Sequence, residues 1–301
     1  MKKKMFILWA LFLTITVWAQ EGYTHYEVRY ATNPKDAKNY DTQRTREEYL
    51  VPTIFEDNKV HMVYTMHDRM IIGGAKPVNQ SLRLEAIEPI KSSNFTEHRE
   101  VGIINIGGKG IVQVGNKKYE LNPKDALYIG RGKDEVTFSS VSADNPALFY
   151  FNSATAHKSY PTKKITQKEA PTIENGNAKE ANARSITKYI LHDTMPTCQL
   201  QMGMTELKEG SVWNTMPPHT HGRRMEAYLY FNLPEEQAVA HFMGEGDSTQ
   251  QIWVHNQQAV ISPEWSIHSG VGTQNYTFIW GMAGENLDYT DLDPVSKEEL
   301  Q

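Results

Sequence analysis

From about Lys59 onward the chain alternates apolar and polar residues over short runs, and each run stops at glycine, proline or asparagine. The clearest series is VGIINIGGKGIVQVGNKKYELNPKDALYIGRGKDEVTFSS, starting at Val101. It predicts strands at 101–106, 111–114, 118–121, 126–129 and 135–139, punctuated by Gly107, Gly108, Gly110, Gly115 and Asn122-Pro123. Short strands at this spacing indicate an antiparallel sandwich or barrel. The second half repeats the grammar in CQLQMGMTELKEGSVWNTMPPHTH, MEAYLYFNL, AVAHFMG, IWVHNQQAVISPEWSIHSGVG and YTFIWGMAG. KKYELNPKDALYIGRG and QQAVISPEWSIHSGVG occupy matching places in the two halves, which predicts a tandem duplication of one small β-barrel.

The segments outside this pattern divide the chain. Residues 20–58 are polar and mixed, an arm with a short helix, and 163–185 lack apolar periodicity, a linker with one or two turns of helix. The barrels then occupy 59–162 and 186–301. At the start, MKKK followed by the apolar run MFILWALFLTITVW reads as a secretory signal peptide over residues 1–19, cut after Ala19. The run is short for a bilayer span and no later segment is transmembrane in character, so the expectation is export, to the periplasm, with no membrane span after signal removal. Hydrophobic content of 39% and charged content of 22% are ordinary for a globular protein, and the net charge of -5 without a basic patch argues against nucleic acid as a partner. Cys198 is the only cysteine, so no intramolecular disulfide is available, and its strand-like neighbours make it a buried small side chain rather than a nucleophile.

The chemistry concentrates in MPPHTHGRRMEAYLYF. On a strand His219 and His221 point the same way, with Thr220 opposite. If Gly222-Arg223-Arg224 forms a turn, Glu226 opens the next strand facing the same interior, and Tyr228 and Tyr230 continue that face. SPEWSIHSG adds His268 after a turn at Pro263. A lone His-x-His is more often a pair of exposed loop histidines. His-x-His-x4-Glu followed by Pro-x4-His on a strand-rich background is a metal site, and three imidazoles with one carboxylate suit zinc, one ion per chain.

This spacing resembles the two motifs of the cupin superfamily, whose fold is a double-stranded β-helix barrel. INIGGKG, DALYIGRG, AHKSYPTKKI, NTMPPHTHGRRMEAYLYFN, AVISPEWSIHSGVG and YTFIWGMAGEN further resemble the signature segments of the 5-keto-4-deoxyuronate isomerase family, the 4-deoxy-L-threo-5-hexosulose-uronate ketol-isomerases, from about Thr45 to Leu300. The resemblance implies an all-β bicupin, zinc on His219, His221, Glu226 and His268, and a homo-oligomer, specifically a hexamer. It implies a small keto-uronate as substrate and an aldose–ketose isomerisation. It also implies a cytosolic enzyme, which the apparent export signal contradicts. The first barrel lacks the metal motif, since NFTEHREVGIINIGG has one histidine and NPKDALYIG has none at the place of His268.

The isomerisation needs a base, an electrophile and a grip on the substrate carboxylate. Glu206 and Tyr228 are the candidate catalytic residues, with Tyr230 a further option for the base. Arg223 and Arg224, beside the ligand strands, are candidates for the carboxylate. His157, Tyr160 and Lys163 in AHKSYPTKK stand near the domain junction as further substrate-binding candidates, with Lys164 next in line. Each also has a bland reading, because a barrel tyrosine is usually core and a Lys-Lys pair usually solvated. Two alternatives stand beside the isomerase: a related cupin isomerase acting on 5-deoxyglucuronate, and a non-catalytic, exported sugar-acid-binding cupin.

Overall fold

The computed structural model describes residues 23–301, so the expected signal peptide at 1–19 lies outside the described residues. Those residues form two β-barrels, each built from a seven-stranded and a four-stranded sheet. The large sheet of the first barrel runs in the order Thr24–Arg29, Val60–Thr65, Ile71–Ala75, Phe149–Thr155, Arg99–Asn105, Ala126–Ile129, Lys163–Ile165. That of the second runs Thr172–Asn175, Arg184–Ile190, Gln201–Leu207, Thr277–Gly284, Arg224–Phe231, Gln258–Ser262, Leu50–Val51. Seven strands then four in each half, with corresponding pairings, is the duplication the sequence rhythm predicts.

Three cores hold the molecule. Each barrel has its own interior, and a third core lies between the two large sheets, where Val63, Ile72, Ile104 and Tyr150 meet Met202, Met204, Leu229 and Ile279. The large-sheet strands are therefore buried on both faces, and their sequences are apolar at odd and even positions alike. Along Arg224–Phe231 the period of two separates the faces: Met225, Ala227, Leu229 and Phe231 join the core between the sheets, whereas Tyr228 and Tyr230 join the second barrel's interior. Close approach of the sheets needs glycine. A Cβ on Gly102 would sit 2.3 Å from the Met202 sulfur, and one on Gly281 would sit 2.0 Å from Asn152 Oδ1.

The arm is a strap across both barrels. Thr24–Arg29 pairs in parallel with Val60–Thr65 of the first barrel, and Leu50–Val51 pairs with Val260 and Ala259 of the second. Between them lie two short helices, Pro34–Ala37 and Thr42–Tyr49, capped by Asn33 and Asp41 through 2.9 and 2.8 Å bonds to the Lys35 and Arg44 amides. The stretch 163–185 departs from expectation. It holds no α-helix; Lys163–Ile165 closes the first barrel's large sheet and Thr172–Asn175 edges the second's. Exposed edge strands are polar on their open side, so their sequence has no apolar period to reveal them.

One buried carboxylate of the first barrel ties it to the segment just before the strand Gln201–Leu207 of the second. Glu100 is fully buried, and it accepts hydrogen bonds from the Cys198, Gln199 and Leu200 amides at 2.7–2.8 Å and from the Tyr128 hydroxyl at 2.6 Å. Cys198 is buried and unpaired. Glu100→Gln would turn an amide NH2 towards donors, leaving buried groups unsatisfied at a cost of about 2–3 kcal/mol. Thermal unfolding of this variant should show Tm lowered by about 5 °C or more; an unchanged Tm would mean that Glu100 does not anchor the 198–200 segment.

Candidate metal centre

His219 lies on the two-residue strand His219–Thr220, held against Asp293–Pro294 of the C-terminal segment. The chain then makes a tight turn, with the Arg224 amide donating to the His221 carbonyl at 3.0 Å, and Glu226 follows as an inward residue of Arg224–Phe231. His268 stands after the 263–267 turn. That turn is pinned by Ser266, whose hydroxyl receives the Gly244 amide at 2.8 Å, and by Ile267, whose amide donates to the Gly244 carbonyl at 2.9 Å. The four side chains converge, with one ligand atom of each lying within 4.8 Å of all the others.

His219 Nε2 is 3.2 Å from His221 Nε2 and 3.1 Å from His268 Nε2. Glu226 Oε2 is 3.1 Å from His221 Nε2 and 2.9 Å from His268 Nε2. Donors bonded at about 2.0–2.2 Å to one ion are spaced at about this distance. The tautomers make the same point. His268 Nδ1 faces the Ser266 carbonyl at 3.4 Å, so in the neutral ring its N–H belongs on Nδ1, whereas His221 Nδ1 has both the Asp291 carbonyl at 3.2 Å and Arg224 Nη2 at 3.1 Å beside it. The Nε2 atoms of the three rings and Oε2 of Glu226 crowd together, an arrangement that a cation between them relieves. Burial, then His268 and His221, push the pKa of His219 down to about 2, which keeps its ring neutral. For Glu226 burial acts upward, but His268 and His221 outweigh it and hold the carboxyl below its ordinary range. The donor set fits a divalent ion.

The cluster opens into a cavity of about 340 Å³ whose walls include Arg184, Thr205, Thr215, Tyr228, Trp280 and Tyr289. That volume is at the small end for small-molecule sites. Tyr228 is nearly fully buried; its hydroxyl is 3.0 Å from Thr215 Oγ1, and burial followed by Glu226 raises its pKa well above the ordinary phenol value. Tyr289 packs against Trp280 with ring centres 5.6 Å apart and the planes tilted by 37°.

The comparisons with known proteins now bear on the site. The KduI/IolB family description matches residues 49–296, most of the chain. The chain belongs to the KduI/IolB family. A 4-deoxy-L-threo-5-hexosulose-uronate ketol-isomerase of Bacteroides thetaiotaomicron is 57% identical over 270 residues, 90% of this chain and 96% of that protein. The protein of the same name from Formosa agariphila is 56% identical over 278 residues, 92% and 99% of the two chains. Among solved structures, an IolB-like protein from Salmonella typhimurium superposes with a TM-score of 0.62 at 15% identity, covering 75% of this chain and 87% of that one. An oxalate decarboxylase from Lactobacillus farciminis gives 0.52 at 9% identity, covering 76% and 80%. These two likenesses carry the fold, a double barrel of cupin type.

Family membership corrects one expectation. The KduI/IolB isomerases to which the chain is similar are cytoplasmic enzymes, so the export and periplasmic location expected from residues 1–19 do not stand. No helix of the described residues is long and apolar enough to cross a membrane.

The structure also re-sorts the other candidates on this KduI/IolB scaffold. Glu206 is not at the cavity. It shares its strand face with Met202 and Met204 and pairs at the barrel junction with Lys124, with the Gln167 side-chain amide donating to it at 3.0 Å. The neighbour on the cavity side is Thr205. Arg223 is exposed and clamped on Asp291, its Nε donating at 2.9 Å. Arg224 is 1% exposed and committed to backbone, donating from Nη1 to the Asp288 carbonyl and from Nη2 to that of Asp291 at 3.0 Å. Neither arginine lines the cavity. His157, Tyr160 and Lys163 lie elsewhere: the His157 carbonyl accepts from Arg131, Tyr160 packs against the core between the sheets, and Lys163 reaches the Thr194 carbonyl at 3.5 Å. Lys164 pairs with Asp125. Tyr230 is fully buried beneath the cavity, its hydroxyl 2.7 Å from His241 Nδ1. The residue missed is Arg184, which the expected linker boundary set aside; a cation opening the run RSITKYI was the available signal.

Arg224 stands directly against His221, its Nη2 3.1 Å from His221 Nδ1, and it also donates to the Asp291 carbonyl beside the ring. Loss of such a support typically costs about 10–100-fold in metal affinity. Arg224→Met should show that loss in competition with graded chelator, while Arg223→Met, which cuts an exposed pair, stays within about threefold of the parent protein. Equal affinity in both variants would remove the positioning role.

Proposed function

We propose that the protein is an aldose–ketose isomerase that converts 4-deoxy-L-threo-5-hexosulose uronate to 3-deoxy-D-glycero-2,5-hexodiulosonate in uronate catabolism, with zinc held by His219, His221, Glu226 and His268. The observation that carries this reading is the converging three-histidine, one-carboxylate cluster opening into a small cavity, in a chain 50–57% identical to enzymes named for that reaction. The 5-deoxyglucuronate reading has weaker support, since the likeness to an IolB-like protein is 15% identity and bears on fold alone. The exported binding-protein reading loses its support with the export signal.

The substrate's aldehyde is at C1, with a hydroxyl at C2. The C2–H bond breaks and a C1–H bond forms through an enediol, while the O2 proton leaves and O1 gains one; no oxidant or reductant is consumed. A zinc held by His219, His221, Glu226 and His268 would supply Lewis acidity at this end of the cavity. Tyr228, its hydroxyl held by Thr215, is the cavity's candidate to donate to O1 as the aldehyde becomes an alcohol. The aromatic walls Trp280, Phe278 and Tyr289 keep bulk water from the enediol. A homo-oligomer, a hexamer by family resemblance, accords with the unpaired outer edge of Thr24–Arg29 and the exposed Tyr26 and Tyr30 beside it.

Three measurements test this reading. Elemental analysis should give about one zinc per chain in the parent protein, lost in His219→Ala and His268→Ala; equal metal content in all three sinks the ligand assignment. Turnover of the keto-uronate in D2O, followed by NMR, should place deuterium at C1, and product without deuterium would exclude an exchanging proton relay. Tyr228→Phe should lower kcat by about 10²-fold or more with metal content retained; a parent-like kcat would move the proton transfer to another group.

A further inference from the structure

We propose that Arg184 is the carboxylate-binding residue of this cavity and sets the direction in which the keto-uronate enters; the inference rests on the isomerase reading. Arg184 opens the strand Arg184–Ile190, where it pairs with Asn175 on one side and Leu207 on the other. Its side chain lines the cavity together with Ile186, the next residue on that face. Nη1 donates to the Asn182 carbonyl at 2.8 Å, which fixes the plane of the fork, and no acidic partner is present among the described residues. The neighbouring arginines differ in this respect: Arg223 is neutralised by Asp291, and Arg224 is buried against backbone carbonyls. A guanidinium that is oriented but unpaired, beside the phenols of Tyr228 and Tyr289 and the ring of Trp280, matches a carboxylate bidentately in surroundings that exclude water.

The direction of entry matters because the cavity has two places for an anion. Three neutral imidazoles, one carboxylate and a divalent ion leave a net positive charge, so the substrate carboxylate is attracted to the cluster as well as to Arg184. Only one orientation puts C1 and C2 at the cluster. Arg184 takes C6 and leaves the aldehyde end facing His219, His221 and Glu226.

The test compares the keto-uronate with its C6-alcohol counterpart in the parent protein, Arg184→Lys and Arg184→Gln. Calorimetry should show uronate affinity falling at least tenfold in Arg184→Gln, with a smaller loss in Arg184→Lys. The fall in kcat/KM should reside mainly in KM. Turnover of the C6-alcohol should fall by far less than that of the uronate, with metal content retained, so that the preference for the uronate collapses. Uronate affinity unchanged in both variants, or equal losses towards uronate and alcohol, would overturn the assignment. If the parent protein binds the uronate but converts neither compound, the isomerase reading falls, while a uronate affinity that still depends on Arg184 keeps the carboxylate assignment.

Discussion

The structure depends on the parity of strands that are buried on both sides. Arg224–Phe231 shows it most directly: its outward residues Met225, Ala227, Leu229 and Phe231 fill the core between the sheets, while its inward residues carry Glu226 and Tyr228 to the site. A one-residue slip would put a carboxylate in the core between the sheets and Met225 or Ala227 in its place in the cluster. Both faces resist that slip at once. The register of the site is thus guaranteed by packing on the side of the sheet that substrate never reaches, and Gly281 permits that packing by letting Asn152 approach.

The first barrel is the comparison built into the molecule. Its Val101 pairs with Ile129 as Glu226 pairs with Ser262, so an aliphatic side chain stands where the second barrel has the carboxylate of its cluster. Arg99 matches Arg224 in place and burial, and it likewise spends its donors on main-chain carbonyls, those of Arg69 and Ser153. The arginine therefore belongs to the architecture of the repeat and the ligands to one copy of it. This explains why Arg224, adjacent to the ligands in sequence, supports the site and does not face substrate.

What the sequence disclosed and what it hid follow from the same geometry. The four-residue cluster was legible because His-x-His-x4-Glu with a later Pro-x4-His on a strand-rich chain has few explanations other than convergence on one face. The fold was legible from the spacing of turn residues. Glu206 was misread because MGMTEL is buried on both sides: a strand with two dry faces gives no amphipathic signal, so nothing in the alternation says whether Thr205 or Glu206 looks into the cavity. Arg184 was passed over because the polar edge strand Thr172–Asn175 just before it imitates a linker, which carried the expected boundary to residue 185. The carboxylate of Glu100 gave no local cue either, since its partners are backbone amides about a hundred positions away.

The strap formed by the arm has a consequence for synthesis on the ribosome. Leu50–Val51 is made about two hundred positions ahead of its hydrogen-bonding partners Val260 and Ala259. Throughout that interval the arm can settle only its other end, in parallel beside Val60–Thr65, while the Thr42–Tyr49 helix waits for the strand Ser248–Val254 that will receive Thr45 and Arg46. A nascent chain is thus left with an unsatisfied ribbon until residues 259–260 have been made, a period in which pairing with a neighbouring copy competes with self-closure. Insertion of that ribbon couples segments synthesised far apart in time, and it makes closure of the second sheet wait on a strand that the growing chain has carried since before the first barrel was built.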